Sequence, residues 1–201
     1  MHIKLWNYKV NCLTSCNWSG KMLTFITGGI KSGKSVFAET IASQNSQEVY
    51  YIATAIVTDE EMQKRIVVHQ NRRPDSWKTI EENYSLENVF TSLPEKPTIV
   101  LVDCLTTFLT NRLWADNPEL FNNELCDSNI NLISEIERTA KLYSQSLHHF
   151  IVVSNEVGLG GISPTKIGRI FCDLQGKSNQ IFAEFAQAVY FIVSGLPIKI
   201  K

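Results

Sequence analysis

The sequence predicts an α/β fold, a mostly parallel sheet with helices on both faces. Three observations carry this: apolar strand-like runs alternate with helical patterns, two of the runs are continuously apolar, and a glycine-rich loop joins the first run to the first helix. Continuous apolar runs suit parallel strands buried on both faces, and the intervening helices supply the crossovers such strands need. A chain of 201 residues fits one domain with a sizeable core.

Residues 23–27 (Leu-Thr-Phe-Ile-Thr) form the first run, short, apolar and β-branched, ending at Gly28-Gly29. Helical spacing follows from Lys34 to about Ala42. Residues 48–54, with Val49, Tyr50, Tyr51 and Ile52, read as a second strand. Thr58 and Glu61 make a capping box, and Met62, Ile66 and His69 share one face of the helix it opens. Pro74 is expected to end that helix, because a proline pushes the residue before it out of the helical region. Residues 98–102 (Thr-Ile-Val-Leu-Val) run into Asp103. One long amphipathic helix is expected next, with Leu125, Leu132, Ile133, Ile136, Ala140, Tyr143 and Leu147 spaced three and four apart. Residues 150–153 read as another buried strand, followed by a glycine-rich loop, a helix through residues 180–185 and a strand at 189–193. His148 and His149 read as residues at a helix C-terminus rather than ligands. Residues 1–21 lack periodicity and read as an N-terminal extension ahead of a domain at 22–201.

The net charge of −1 argues against a general nucleic-acid grip, which needs a basic excess. Five cysteines, Cys12, Cys16, Cys104, Cys126 and Cys172, are odd in number and scattered. They suggest buried thiols in a reducing compartment rather than a disulfide framework. Cys12 and Cys16 have no second Cys/His pair to complete a tetrahedral metal site. No run is long and apolar enough to span a membrane, and residues 1–21 have no signal-peptide core, so a cytoplasmic protein is expected.

The strongest motif is Gly28-x-x-x-x-Gly33-Lys34-Ser35, a P-loop between a strand and a helix. Its glycines let backbone N–H groups wrap around phosphates, Lys34 reaches the terminal phosphates, and the Ser35 hydroxyl can hold Mg²⁺. Asp103, ending an apolar strand, is the second candidate Mg²⁺ residue, through water. His69 has Arg65 four residues before it and Arg72 and Arg73 three and four after. Like charge favours the neutral imidazole, which suits attack on phosphorus, and the same arginines could neutralise a triphosphate. On spacing alone, an exposed histidine on a charged helix is the simpler reading. Asn155 and Glu156, opening the glycine-rich loop after a buried strand, could orient substrate or metal, or merely cap the loop.

Beyond the P-loop, an ordered set of segments carries a family resemblance. These are Thr27-Gly28-Gly29-Ile30-Lys31-Ser32-Gly33-Lys34-Ser35, Tyr51-Ile52-Ala53-Thr54-Ala55, Asp59-Glu60-Glu61-Met62, Arg65-Ile66-x-x-His69-x-x-x-Arg73-Pro74 and Trp77-x-Thr79-x-Glu81. Val102-Asp103-Cys104-Leu105-Thr106, Thr110-Asn111, Ser154-Asn155-Glu156-Val157-Gly158, Asn179-Gln180 and Val193-Ser194-Gly195-Leu196-Pro197 continue it. Over residues 22–201 the chain resembles the bifunctional adenosylcobinamide kinase / adenosylcobinamide-phosphate guanylyltransferase of cobalamin biosynthesis.

The resemblance implies a RecA-like P-loop fold, a homotrimer, and two reactions. A nucleoside triphosphate, ATP or GTP, phosphorylates adenosylcobinamide. GMP from GTP then passes through an enzyme histidine to adenosylcobinamide phosphate, giving adenosylcobinamide-GDP. The family histidine falls on His69. Nucleotide contacts fall on Gly28, Gly29, Ile30, Lys31, Ser32, Gly33, Lys34, Ser35, Ala53, Thr54, Ala55, Gln70, Asn71, Arg72, Arg73, Glu81 and Asp103. Glu81, Asp103 and Glu156 are the carboxylates available as kinase base. Three departures accompany the likeness: the extension at 1–21, a loop Gly158-Leu159-Gly160-Gly161-Ile162 one glycine longer, and Val68 where some relatives carry a basic residue or a histidine. Other readings are a P-loop ATPase or small-molecule kinase with a structural His69, and a non-catalytic nucleotide-binding regulator.

Overall fold

The computed structural model describes residues 21–44, 47–57, 59–116 and 127–201. Residues 1–20, Cys12, Cys16, Cys126, Thr58, Leu125 and the side chain of Arg65 lie outside the described residues. The elements run β1 (Met22–Gly28), α1 (Lys34–Ser43), β2 (Val49–Ala53), α2 (Glu60–Gln70), β3 (Lys78–Glu81), β4 (Ile99–Asp103), α3 (Leu105–Asp116), α4 (Asp127–Gln145), β5 (His149–Val153), α5 (Lys166–Phe185), β6 (Ala188–Val193) and β7 (Leu196–Lys199).

The sheet has the order β3-β2-β4-β5-β1-β6-β7. Every pairing is parallel except the β6–β7 hairpin. Alternate side chains feed two cores. Leu23, Phe25, Val100, Val102, Phe150 and Val152 face α3, α4 and α5, meeting Phe108, Ile136, Tyr143 and Phe182. Ile26, Tyr51, Leu101, Ile151, Val153 and Ile192 face α1, meeting Phe37, Ala38 and Ile41. Helices therefore cover both faces, as expected. The P-loop strand β1 is separated from β4 by β5, the strand arrangement of a RecA-like P-loop sheet.

Several local expectations change. The side chain of Asp59 caps α2, accepting from the Met62 N–H at 2.7 Å, and the expected cap Thr58 lies outside the described residues. That helix stops at Gln70, so Arg72 and Arg73 sit in the turn before Pro74. Among the described residues, the stretch after Asp103 holds two helices, α3 and α4, where one was expected. Leu147 lies beyond α4 and is exposed. His148 and His149 are not a helix end, because α4 closes at Gln145. His149 is the first residue of β5, buried, with its Nε2 2.9 Å from Thr24 Oγ1. Cys104 and Cys172 are free thiols, half-buried rather than fully buried.

Candidate active site

Register assembles the site. Across the carboxyl ends of the strands, Ile26 pairs with Val153, Val153 with Asp103, Asp103 with Ala53, and Ala53 with Glu81. In-register parallel neighbours point to the same face. Ile26 and Val153 face α1, so Asp103, Ala53 and Glu81 do too. Carboxyl-end crevices of this kind are where open α/β sheets bind ligands.

At the mouth of that row the P-loop turns from β1 into α1. Gly28 has φ +153°, and a Cβ there would lie 2.4 Å from the Ile192 backbone oxygen, so only glycine lets β1 and β6 approach this closely. Gly33 caps α1 at φ 101°. The β6–β7 turn braces the loop from behind, with Gly195 N–H donating to Ser32 O at 2.7 Å. Lys34 is buried and donates from Nζ to Gly29 O at 2.6 Å. Burial pulls its ammonium below the ordinary lysine value, opposed by Cys104 and Asp103.

Asp103 is the hub. Oδ1 accepts from Ser35 Oγ at 3.4 Å, Oδ2 accepts from the Tyr51 hydroxyl at 2.9 Å, and Oδ2 lies 4.0 Å from His69 Nδ1. Burial, reinforced by the Asp103 charge, pushes the Tyr51 phenol far above its ordinary value, so it remains a donor. Ser35 and Asp103 supply oxygens of the type a hard divalent cation takes, with water and phosphate to complete its shell. Among the described residues, no cluster of three or more His, Cys, Asp or Glu side chains could form a larger metal cage.

His69 reaches this hub from the last turn of α2. Met62, Ile66 and His69 share the face that lines the cleft. Arg72 Nη2 lies 3.0 Å from His69 Nδ1, and Arg73 Nε donates to His69 O at 3.1 Å while its guanidinium stacks 3.6 Å above the Tyr51 ring. Burial lowers the His69 pKa below its ordinary value; Arg72 and Arg73 add to this and Asp103 opposes it. The balance favours the neutral ring.

These groups surround a cleft of about 810 Å³. Of the residues named from sequence, Ile30, Lys31, Ser32, Gly33, Lys34, Ser35, Ala53, Ala55, His69, Gln70, Arg72, Glu81 and Asp103 line it. Gly28, Gly29, Thr54, Asn71 and Arg73 are not in the lining. Thr54 is fully buried and bonds both ways with the Cys104 backbone, joining the ends of β2 and β4. Asn155 lines the cleft, whereas the Glu156 carboxylate caps its own loop by accepting from Gly158 N–H at 2.8 Å. The buried trio Ser154, Gln175 and Asn179 holds that loop in place, and Asn179 Nδ2 donates to Asn155 O at 3.0 Å.

Sequence reasoning gave no role to Tyr51, Asn83, Thr107 or Asn111. Asn111 donates to the carbonyls of Thr54 and Asn83, fixing the exit of β2. The available signal was position: Tyr51 lies two residues before the end of β2, on the α1 face shared with Ala53.

A family model described as cobinamide kinase / cobinamide phosphate guanyltransferase matches residues 24–200. The chain is 38% identical over 180 residues to the bifunctional adenosylcobalamin biosynthesis protein CobP of Pseudomonas aeruginosa, covering 90% of this chain and 98% of that one. It is 34% identical over 184 residues to the bifunctional adenosylcobalamin biosynthesis protein CobU of Escherichia coli, covering 90% of this chain and 100% of that one. Among solved structures, a Pyrococcus horikoshii protein superposes with a TM-score of 0.53 at 12% identity, covering 90% of this chain and 87% of that chain. That last likeness concerns the fold alone.

Proposed function

Because the chain belongs to the cobinamide kinase / cobinamide phosphate guanyltransferase family, and is thus a bifunctional transferase of cobalamin biosynthesis, we propose that both reactions use the one cleft and that His69 carries GMP between them. The observation that carries this reading is the 4.0 Å approach of His69 to Asp103, beside Ser35 and Lys34.

In the kinase reaction, the backbone N–H groups of the P-loop and Lys34 bind the triphosphate of ATP or GTP. The adenosylcobinamide hydroxyl attacks the terminal phosphorus, its proton passes to a carboxylate, and the nucleoside diphosphate leaves. Glu81 and Asp103 are the candidate carboxylates that line the cleft; Glu156 is engaged with its own loop. In the guanylyl reaction, a neutral imidazole nitrogen of His69 attacks the α-phosphorus of GTP, an N–P bond forms, and pyrophosphate departs. A phosphate oxygen of adenosylcobinamide phosphate then attacks the same phosphorus, the N–P bond breaks, and adenosylcobinamide-GDP leaves with the imidazole restored. Arg72 offers charge to the phosphate oxygens in both halves. Ser35 and Asp103 are the residues that would hold Mg²⁺, which when bound supplies positive charge beside the phosphates.

The reading takes residues 22–201 as the catalytic domain and carries a homotrimer, to be checked by light scattering coupled to gel filtration. No described helix is long and apolar enough to cross a membrane. The deciding experiment incubates the purified chain with Mg²⁺ and GTP radiolabelled at the α-phosphate, followed by a denaturing gel, beside His69→Ala. Acid-labile, base-stable label on the wild type and none on His69→Ala is expected. A wild-type chain that binds nucleotide but takes no label would sink the histidine carrier and leave direct transfer.

A further inference from the structure

Glu39 lies outside the cleft lining, yet it touches the machinery through one nitrogen atom. Arg72 Nη2 sits 3.2 Å from Glu39 Oε1 and 3.0 Å from His69 Nδ1. The Glu39 side chain is 13% exposed and stands on α1, four residues after Ser35 and so on the same helical face. The helix that begins at the P-loop lysine therefore grips the arginine that touches the histidine.

The chemistry of that contact is restrictive. A guanidinium has donors and no acceptor, so its bond to Nδ1 occupies the Nδ1 lone pair and leaves the ring proton on Nε2. In this arrangement neither ring nitrogen presents a free lone pair. Attack requires Arg72 to leave Nδ1, and the α- and β-phosphate oxygens of a bound nucleotide are stronger acceptors than an imidazole. We propose that Glu39 is a positioning residue for guanylyl transfer: it tethers Arg72 to α1, so that the guanidinium can swing from His69 Nδ1 to the nucleotide phosphates without leaving the site. The inference rests on His69 being the GMP carrier. Arg72 thereby masks the nucleophile in the resting enzyme and unmasks it as the triphosphate is bound, and Glu39 keeps both positions within reach.

Glu39→Gln preserves shape and removes the charge that holds the guanidinium. In the full chain, single-turnover labelling of His69 by α-labelled GTP is expected to slow about tenfold, with GTP affinity within about twofold and an unchanged melting temperature. In an Arg72→Ala background, Glu39→Gln should slow labelling no further, because the carboxylate acts only through Arg72. The imidazole nitrogen chemical shifts of His69, read by NMR on isotope-labelled histidine, should move at Nδ1 in Glu39→Gln without nucleotide. Labelling at the wild-type rate in Glu39→Gln, or equal slowing with and without Arg72, would overturn the tether. Should the wild type take no label at all, the histidine carrier fails on its own account. An Nδ1 shift identical in wild type and Glu39→Gln would then separately dispose of the Glu39–Arg72–His69 coupling.

Discussion

Gly28→Ala should destabilise the fold even before any ligand is considered. An alanine Cβ at this position would lie 2.4 Å from Ile192 O and 3.2 Å from Ile192 N. Both are backbone atoms of β6, paired in register with Gly28, so no rotamer change relieves the overlap and the two strands must part. Overpacking of this kind costs about 1–3 kcal/mol, and holding an L-residue at positive φ adds about 1–2 kcal/mol, giving roughly 2–5 kcal/mol in all. Gly29 is the internal control. A Cβ there meets nothing within 4 Å and its φ is ordinary, so Gly29→Ala should stay within about 0.5 kcal/mol of wild type. Urea unfolding separates the two: the Gly28→Ala midpoint should fall by roughly 1 M or more at an unchanged slope, and Gly29→Ala should barely move. Equal midpoints for Gly28→Ala and wild type would refute the argument, because the β1–β6 approach would then not depend on a missing Cβ.

Three further outcomes follow from the geometry. His149 is held neutral by burial, its pKa lowered to about 3 from 6.5; the unfolded chain therefore takes up its proton first on acidification. Stability should fall as pH drops from 6.5 towards 3, by up to about 1.4 kcal/mol per pH unit, and His149→Gln should flatten that slope in pH-dependent urea melts. Lys34→Ala should depress kinase and guanylylation rates together by about a hundredfold or more in parallel assays; loss of one reaction alone would mean two separate phosphate sites. Tyr51→Phe removes the donor to Asp103 Oδ2 and should cost about 1 kcal/mol of stability in thermal melts, with both reaction rates lowered; a variant more stable than wild type would show that the bond is not a net stabiliser.

The parts of the site legible in sequence were those with local signatures. The P-loop announces itself by glycine spacing, and Asp103 by standing at the end of a continuous apolar run. What stayed hidden depends on long-range placement. The helix α3 did carry a local stripe, Leu105, Phe108, Leu109 and Leu113 at helical spacing and all buried; what it did not announce is that Thr106 and Asn111, between them, bond to the loops after β5 and β2. The strand β3 has four residues and only Ile80 is half-buried, so period two had almost nothing to act on. His149 was misplaced because a polar residue before an apolar run resembles a helix end, whereas in the fold Thr24 gives its ring a partner across the sheet. Glu39 offered no signal at all: its bond to Arg72 spans 33 positions.

One structural fact bears on why a kinase and a guanylyltransferase can share a scaffold. Phosphoryl transfer acts at the terminal phosphorus and guanylyl transfer at the α-phosphorus, so one triphosphate must be attacked at two places along its length. Lys34 and Ser35 stand at the start of α1, while His69 arrives from α2 on the other side of Asp103. Asp103 sits between them in a register row that β5 separates from the P-loop strand by one strand spacing. The inserted strand adds about 5 Å between β1 and β4. That strand order is the general one of a RecA-like sheet, so what the proposed second reaction adds is the placement of His69 on α2, 4.0 Å from Asp103.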